Sequence, residues 1–233
     1  MRAMILAAGF GKRMQPLTLT TPKPLLRVND KPLIEYHIEA LVRAGVESIV
    51  INLGWLGEQI SQQLGDGSRW GVELHYSFEP EPLETAGGIY QALSLLGDAP
   101  FIVVNGDVWT DFDYRVLKVD TLTGDDLAYL VLVANPEHNP DGDFLLQQGR
   151  IANPNSDSRQ PGLTFAGISV ISPRLFNGFD PTAKAALSPL LRAAADTGKL
   201  AGQHFTGEWL DIGTPERLEL LNNTVSQTKT ASD

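Results

Sequence analysis

The stretch Gly9-Phe10-Gly11-Lys12-Arg13-Met14, closed by Pro22-Lys23-Pro24, follows the apolar run Met4-Ile5-Leu6-Ala7-Ala8. No bulky side chain stands where this run would turn, so bare backbone N–H groups can approach an anion. Arg13 and Lys23 set two cations beside those amides. Small residues, open amides and cations in one short segment suit a polyphosphate. The spacing excludes two commoner devices. A P-loop places Gly, four residues and then Gly-Lys-Ser/Thr, whereas Gly11-Lys12 is followed by Arg13 and position 6 is Leu. A dinucleotide fingerprint needs a third glycine where Met14 stands.

Two carboxylates extend the chemistry. Asp107 follows the buried run Phe101-Ile102-Val103-Val104 in Asn105-Gly106-Asp107, and Asp211 lies far away in Trp209-Leu210-Asp211-Ile212-Gly213-Thr214. A pair of carboxylates opposite a triphosphate suits Mg²⁺, which takes hard oxygen ligands and keeps several waters. Gly-Asp is also ordinary turn chemistry, so Asp107 has a plain alternative. In Leu83-Glu84-Thr85-Ala86-Gly87-Gly88-Ile89, Thr85 reads as a helix N-cap. Two glycines in a first helical turn cost about 1 kcal/mol each against Ala, which predicts close approach by something flat, such as a nucleobase. His37, His75, His138 and His204 form no metal spacing, and His37 reads as structural on an amphipathic helix. No activated nucleophile points to covalent catalysis.

The string from Leu6 to Thr18, continued through Pro22-Lys23-Pro24-Leu25, resembles the signature of the sugar-1-phosphate nucleotidylyltransferases nearly residue for residue. The resemblance implies catalytic roles for Arg13, Lys23 and Asp107, with Mg²⁺ on Asp107 and Asp211. It assigns Ala8, Gly9, Gly11, Lys12, Arg13, Lys23, Gly54, Glu84 and Gly88 to the nucleotide. Asn105, Gly142, Asp143, Asn153 and Gly167 match the sugar-phosphate positions. The implied reaction is in-line attack of a sugar-1-phosphate on the nucleotide α-phosphorus, with pyrophosphate leaving. The attacking phosphate has a second pKa of about 6 and is already ionised, so no general base is required.

Within the family, the compact length, the Leu83-to-Ile89 loop and the Trp209-to-Thr214 segment look most like members that join UTP to N-acetylmuramic acid α-1-phosphate in cell-wall recycling. These 233 residues carry no left-handed β-helix extension. The alternatives are a thymidylyltransferase for glucose-1-phosphate and a guanylyltransferase for mannose-1-phosphate. A non-catalytic nucleotide-sugar sensor is a reading of another class, but such a protein could lose the metal carboxylates that this chain keeps. A glycosyltransferase would show Asp-x-Asp where this chain reads Gly106-Asp107-Val108-Trp109.

The elements that must position these groups alternate. Strands are predicted at 2–8, 48–53, 72–78, 101–104, 127–133 and 164–171, and helices at 32–44, 56–64, 86–96, 186–197 and 215–223. Polar loops are expected from Asn135 to Asp143 and from Asn153 to Gly162. The rhythm predicts an α/β fold with a central, mostly parallel mixed sheet and ligand at the carboxyl ends of its strands. With the family likeness, this becomes a Rossmann-like, GT-A-like nucleotidyltransferase fold. One domain is expected over 1–223, followed by a disordered polar tail at 224–233.

Composition sets outer bounds. The 233 residues are 42% hydrophobic, enough for one sizeable core. No cysteine is present, so disulfides and thiolate chemistry are excluded. The net charge of −10, with no basic face evident, argues against nucleic acid as a partner. No apolar run is long enough to span a membrane and no secretory signal opens the chain, so a soluble cytoplasmic protein is expected.

Overall fold

The computed structural model describes residues 1–154 and 161–230, with side chains through residue 224. In chain order, the first half comprises β1 (Arg2–Leu6), β2 (Arg27–Val28), β3 (Lys31–Pro32), α1 (Leu33–Arg43), β4 (Ser48–Leu53), α2 (Gly57–Leu64), β5 (Glu73–Phe78), α3 (Glu84–Leu96), β6 (Phe101–Asn105) and β7 (Val108–Thr110). The second half adds β8 (Ala128–Val133), β9 (Leu145–Gln147), β10 (Arg150–Ala152), β11 (Thr164–Ile171), α4 (Leu187–Asp196), β12 (Leu200–His204), β13 (Trp209–Asp211) and α5 (Pro215–Thr230). Three short 3₁₀ turns carry the chain from Lys12 to Leu25.

One nine-stranded sheet has the order β5-β4-β1-β6-β11-β8-β12-β10-β9. β5, β4, β1 and β6 are mutually parallel, β11 runs against β6 and β8, and β12 is parallel to β8. The sheet is therefore mixed, with only β10 and β11 opposing the common direction. Alternate residues of one strand feed two cores. Ile5, Ile51 and Val104 face α1 and α2, while Met4, Val50 and Val103 face α3 and α4. Burial on both faces is why these strands read as mainly apolar runs without alternation. The carboxyl ends of β1, β4, β5 and β6 consequently share one edge, with the start of β11 beside them.

A third, smaller cluster stands apart from the sheet. Met14, Leu26, Val28, Leu33, Ile212, Leu218 and Leu221 pack together. They join the segment after β1, the β2–β3 ribbon and α5 into one plate. The two-stranded ribbon of β7 and β13 runs alongside.

Two expectations differ from the structure in their bounds or bonds. Thr85 is not an N-cap: α3 opens at Glu84, and the Ala86 and Gly87 amides donate instead to the Ala185 carbonyl, at 2.8 and 3.3 Å. A carbonyl from the segment before α4 thus does the capping, which no local pattern announces. The helix expected over 215–223 runs further, as α5 continues to Thr230. Once nucleated, a helix gains a backbone bond with each added residue, so a polar stretch can prolong it without an apolar stripe. Residues 231–233 and 155–160, the latter within the expected Asn153–Gly162 loop, lie outside the described residues. Among the described residues no helix is long and apolar enough to cross a membrane.

Candidate active site

The segment after β1 crosses the sheet edge as open chain and then tightens into a 3₁₀ turn at Lys12–Met14. Gly11 begins that turn with φ +61°, and a Cβ there would lie 2.8 Å from Thr18 Cγ2. The Thr18 hydroxyl and the Met14 amide both donate to the Gly11 carbonyl at 2.8 Å, which fixes the turn. The Gly106 amide donates to the Leu6 carbonyl at 2.9 Å, bringing the β6 turn against the end of β1. Asp107 is thereby presented to the first loop, where its carboxylate accepts a 2.8 Å bond from Lys23 Nζ. The lysine side chain is only 11% exposed, whereas the Asp107 side chain, at 38%, stays open to the cleft.

The edge opens into a cleft of about 250 Å³ whose walls include Ala8, Gly9, Lys23, Glu84, Asn105 and Asp107. A second hollow adjoins it, lined by Gly9, Gly11, Lys12, Arg13, Lys23, Asp107 and Gly213. Asp211 reaches this corner from β13: it pairs with Val108 across the ribbon, and the Ile212 amide donates to the Asp107 carbonyl at 2.8 Å. Beside it, the position a Gly213 Cβ would occupy is 3.1 Å from Asp211 Oδ2 and 3.3 Å from Arg13 Nη1. The two carboxylates and the cations Arg13 and Lys23 are therefore brought together from three separate parts of the chain: the segment after β1, the turn after β6, and β13.

Other expected residues take their places differently. Gly54 packs on the Ala8 carbonyl, beneath the first loop. Gly88 is buried, and a Cβ there would lie 2.4 Å from Glu79 Oε1. The close approach predicted at Gly87-Gly88 comes from the protein itself, through the Ala183 carbonyl and the Glu79 carboxylate. Gly167, with φ +74° at the bulge of β11, leaves room for the Asn105 side chain. Gly142 packs on Gly162, and Asp143 accepts from the Phe165 amide at 2.8 Å, so both tie a loop to the start of β11. Asn153 is not brought to the cleft: its amide donates to the Arg192 carbonyl and to Asp196 on α4, at 2.9 and 2.6 Å.

Several cleft residues escaped the sequence reading. Asn52, on β4, accepts from the Ala7 amide at 2.7 Å and donates to Glu79 Oε1 at 2.7 Å. Glu79 Oε2 accepts from the Leu83 amide at 3.1 Å. This chain of bonds couples the first loop to the entrance of α3, and both side chains line the cleft. A polar residue inside an apolar strand, as at Asn52, was the available signal. Arg217 and His138 beside Asp211 were also missed, because one sits on α5 and the other in a loop far from it in sequence.

His37 is buried on α1, as its structural reading expects. One ring nitrogen, Nε2, is 2.7 Å from the Val108 carbonyl, and Nδ1 faces the Tyr114 hydroxyl at 3.3 Å. Burial holds its pKa down to about 4, so the ring is neutral near pH 7. Nε2–H then donates to Val108 while Nδ1 accepts from Tyr114. Desolvation pushes the Tyr114 phenol upward, which keeps that donor protonated.

The donor set at the shared corner fits a hard divalent cation. Asp107 and Asp211 supply two carboxylates, and among the described residues no cluster of three or more His, Cys or acidic groups supplies a closed cage. Magnesium is commonly held in this way, by one or two carboxylates with water and substrate phosphate completing its shell.

Residues 2–142 match the family model described as nucleotidyl transferase. An N-acetylmuramate alpha-1-phosphate uridylyltransferase of Neisseria meningitidis serogroup B is 51% identical over 222 residues, covering 94% of this chain and 96% of that protein. The catalytic subunit beta of a mannose-1-phosphate guanylyltransferase from Drosophila pseudoobscura pseudoobscura is 32% identical, and this chain spans 60% of its length. A solved Bacillus anthracis structure, assigned as a glucose-1-phosphate thymidylyltransferase and holding sucrose, superposes with TM-score 0.83 over 96% of this chain and 95% of its own. At 22% identity that likeness bears on the fold alone. The match over residues 2–142 and the 51% identity along almost the whole of a curated relative place the chain in the nucleotidyl transferase family.

Proposed function

We propose that the protein transfers UMP from UTP to N-acetylmuramic acid α-1-phosphate, giving UDP-N-acetylmuramic acid and pyrophosphate. The observation that carries this reading is the 51% identity to the Neisseria uridylyltransferase across 96% of its length. The residues at the sheet edge fit the chemistry. Two anions must meet, so the barrier is electrostatic and catalysis rests on positioning and charge neutralisation. Lys23, held by Asp107, faces the cleft where the reacting phosphates meet. Arg13, in the adjoining hollow, stabilises the departing pyrophosphate. The open amides from Ala8 to Gly11 hold phosphate oxygens. Asn105, in the space left by Gly167, orients the sugar-phosphate. Asp107 and Asp211 would hold Mg²⁺, which when bound withdraws charge from the α-phosphate.

The test is a pyrophosphate-release screen of UTP, dTTP, GTP and ATP against a panel of sugar-1-phosphates. UTP with N-acetylmuramic acid α-1-phosphate should have the highest kcat/KM. If dTTP with glucose-1-phosphate, or GTP with mannose-1-phosphate, exceeds it tenfold, about 1.4 kcal/mol of transition-state binding favours that pair and the substrate assignment is wrong. Absence of pyrophosphate release with every pair would favour a sensor over an enzyme.

A further inference from the structure

Asp211 is already occupied from within the chain. Its Oδ2 lies 2.8 Å from Arg217 Nη1 on the first turn of α5, with the two side chains only 18% and 25% exposed. Arg217 Nη2 donates to His138 Nδ1 at 2.9 Å, and His138 Nε2 faces the same Asp211 oxygen at 3.5 Å. One tautomer satisfies both contacts, with Nδ1 accepting and Nε2–H turned to the carboxylate. Asp107 is more open, at 38% exposed, but its Oδ2 is likewise engaged by a cation, Lys23 Nζ, at 2.8 Å. Each carboxylate suited to metal thus has a resident cation, and Arg13 stands close by.

A divalent ion entering such a corner alone would meet guanidinium and ammonium groups in place of free carboxylates. Repulsion at these distances in a half-buried site is substantial. A nucleotide triphosphate changes the balance, because its anionic oxygens offset the added charge and give the displaced cations new partners. We infer that Arg217 is an internal counter-ion of Asp211 that suppresses binding of a divalent cation until nucleotide arrives, so that metal and nucleotide enter together. The inference rests on the reading of Asp211 as a metal ligand. Arg217 acts here through Asp211, as a positioning residue, and His138 fixes its second nitrogen.

The experiment is a titration of nucleotide-free protein with Mn²⁺, followed by loss of the free-ion EPR signal. Arg217→Met should bind Mn²⁺ at least fivefold more tightly than the unaltered protein. Arg217→Gln, which keeps a donor for His138, should show the same gain, whereas Arg217→Lys should stay weak because the charge remains. Circular dichroism identifies variants that fold, and either neutral variant alone suffices. Equal or weaker Mn²⁺ binding in a folded neutral variant overturns the inference, since Arg217 would then be supporting Asp211 as a ligand. Asp211→Asn combined with Arg217→Met separates the two levels of the argument. If the double variant keeps the gain, the ion is not on Asp211, and it is the reading of the metal site that fails.

Discussion

Lys23 and His37 show how one side chain can answer to two parts of the fold. Lys23 is nearly buried and bonded to Asp107 at the mouth of the cleft. Lys23→Ala should lower kcat by about 100-fold or more, roughly 3 kcal/mol of transition-state stabilisation. Its thermal midpoint should move little. Steady-state kinetics at saturating substrate measure this, and turnover within threefold of the unaltered protein would remove Lys23 from the chemistry. His37 belongs to stability. Its folded pKa of about 4 lies below the ordinary 6.5, so between these values the unfolded chain binds a proton that the folded chain does not. The contribution is therefore complete above pH 6.5, is lost as pH falls toward 4, and is constant below that. About 3 kcal/mol is at stake over the window. Urea melts at pH 7 and pH 4 should show that difference narrowed in His37→Gln, and parallel pH profiles for the two proteins would rule it out.

At the scale of elements, α3 departs from local preference at its first residue. Glu84 has φ +59°, a left-handed conformation costing a side-chain-bearing residue roughly 1–2 kcal/mol. Glu84→Gly should raise stability by about 1 kcal/mol, read as a higher midpoint in thermal or urea melts. An unchanged or lower midpoint would mean that the Glu84 side chain gains more from its surroundings than its backbone loses. The same helix marks the limit of what the sequence discloses. Strands 48–53 and 164–171 are legible to the residue, because burial on both faces of the sheet leaves runs that are mostly apolar and β-branched. β7, β9, β10 and β13 are not, since ribbons of three residues lie in polar, turn-rich segments, and β7 and β13 besides pair with each other from far apart in the chain. The site divides on similar lines. The first loop, Lys23 and Asp107 are contiguous with strong local patterns. Glu79, Arg217 and His138 become neighbours of the cleft only through tertiary contact, and Asn153 carries a plausible residue type but is turned to α4.

At the scale of the whole molecule, the sheet carries the cleft while a separate plate carries much of its charge. The cluster of Met14, Leu26, Val28, Leu33, Ile212, Leu218 and Leu221 lies outside both sheet cores. It connects the segment bearing Arg13 and Lys23 to the one bearing Asp211. Seven buried side chains stabilise far less than the two large cores, so this plate should open without the sheet. In native-state hydrogen exchange, amides of residues 12–33 and 209–224 should exchange as one cooperative group, well before those of β1, β4 and β6. If all exchange together at the global free energy, the plate is not a separate unit. The consequence reaches the enzyme's tolerance of stress. Mild urea or warming should abolish turnover while far-ultraviolet dichroism still reports a folded protein, and dilution should restore activity quickly because the sheet remains as a template for the plate to re-dock. The machinery for joining two anions would thus be the first part of the molecule to fail and the first to recover.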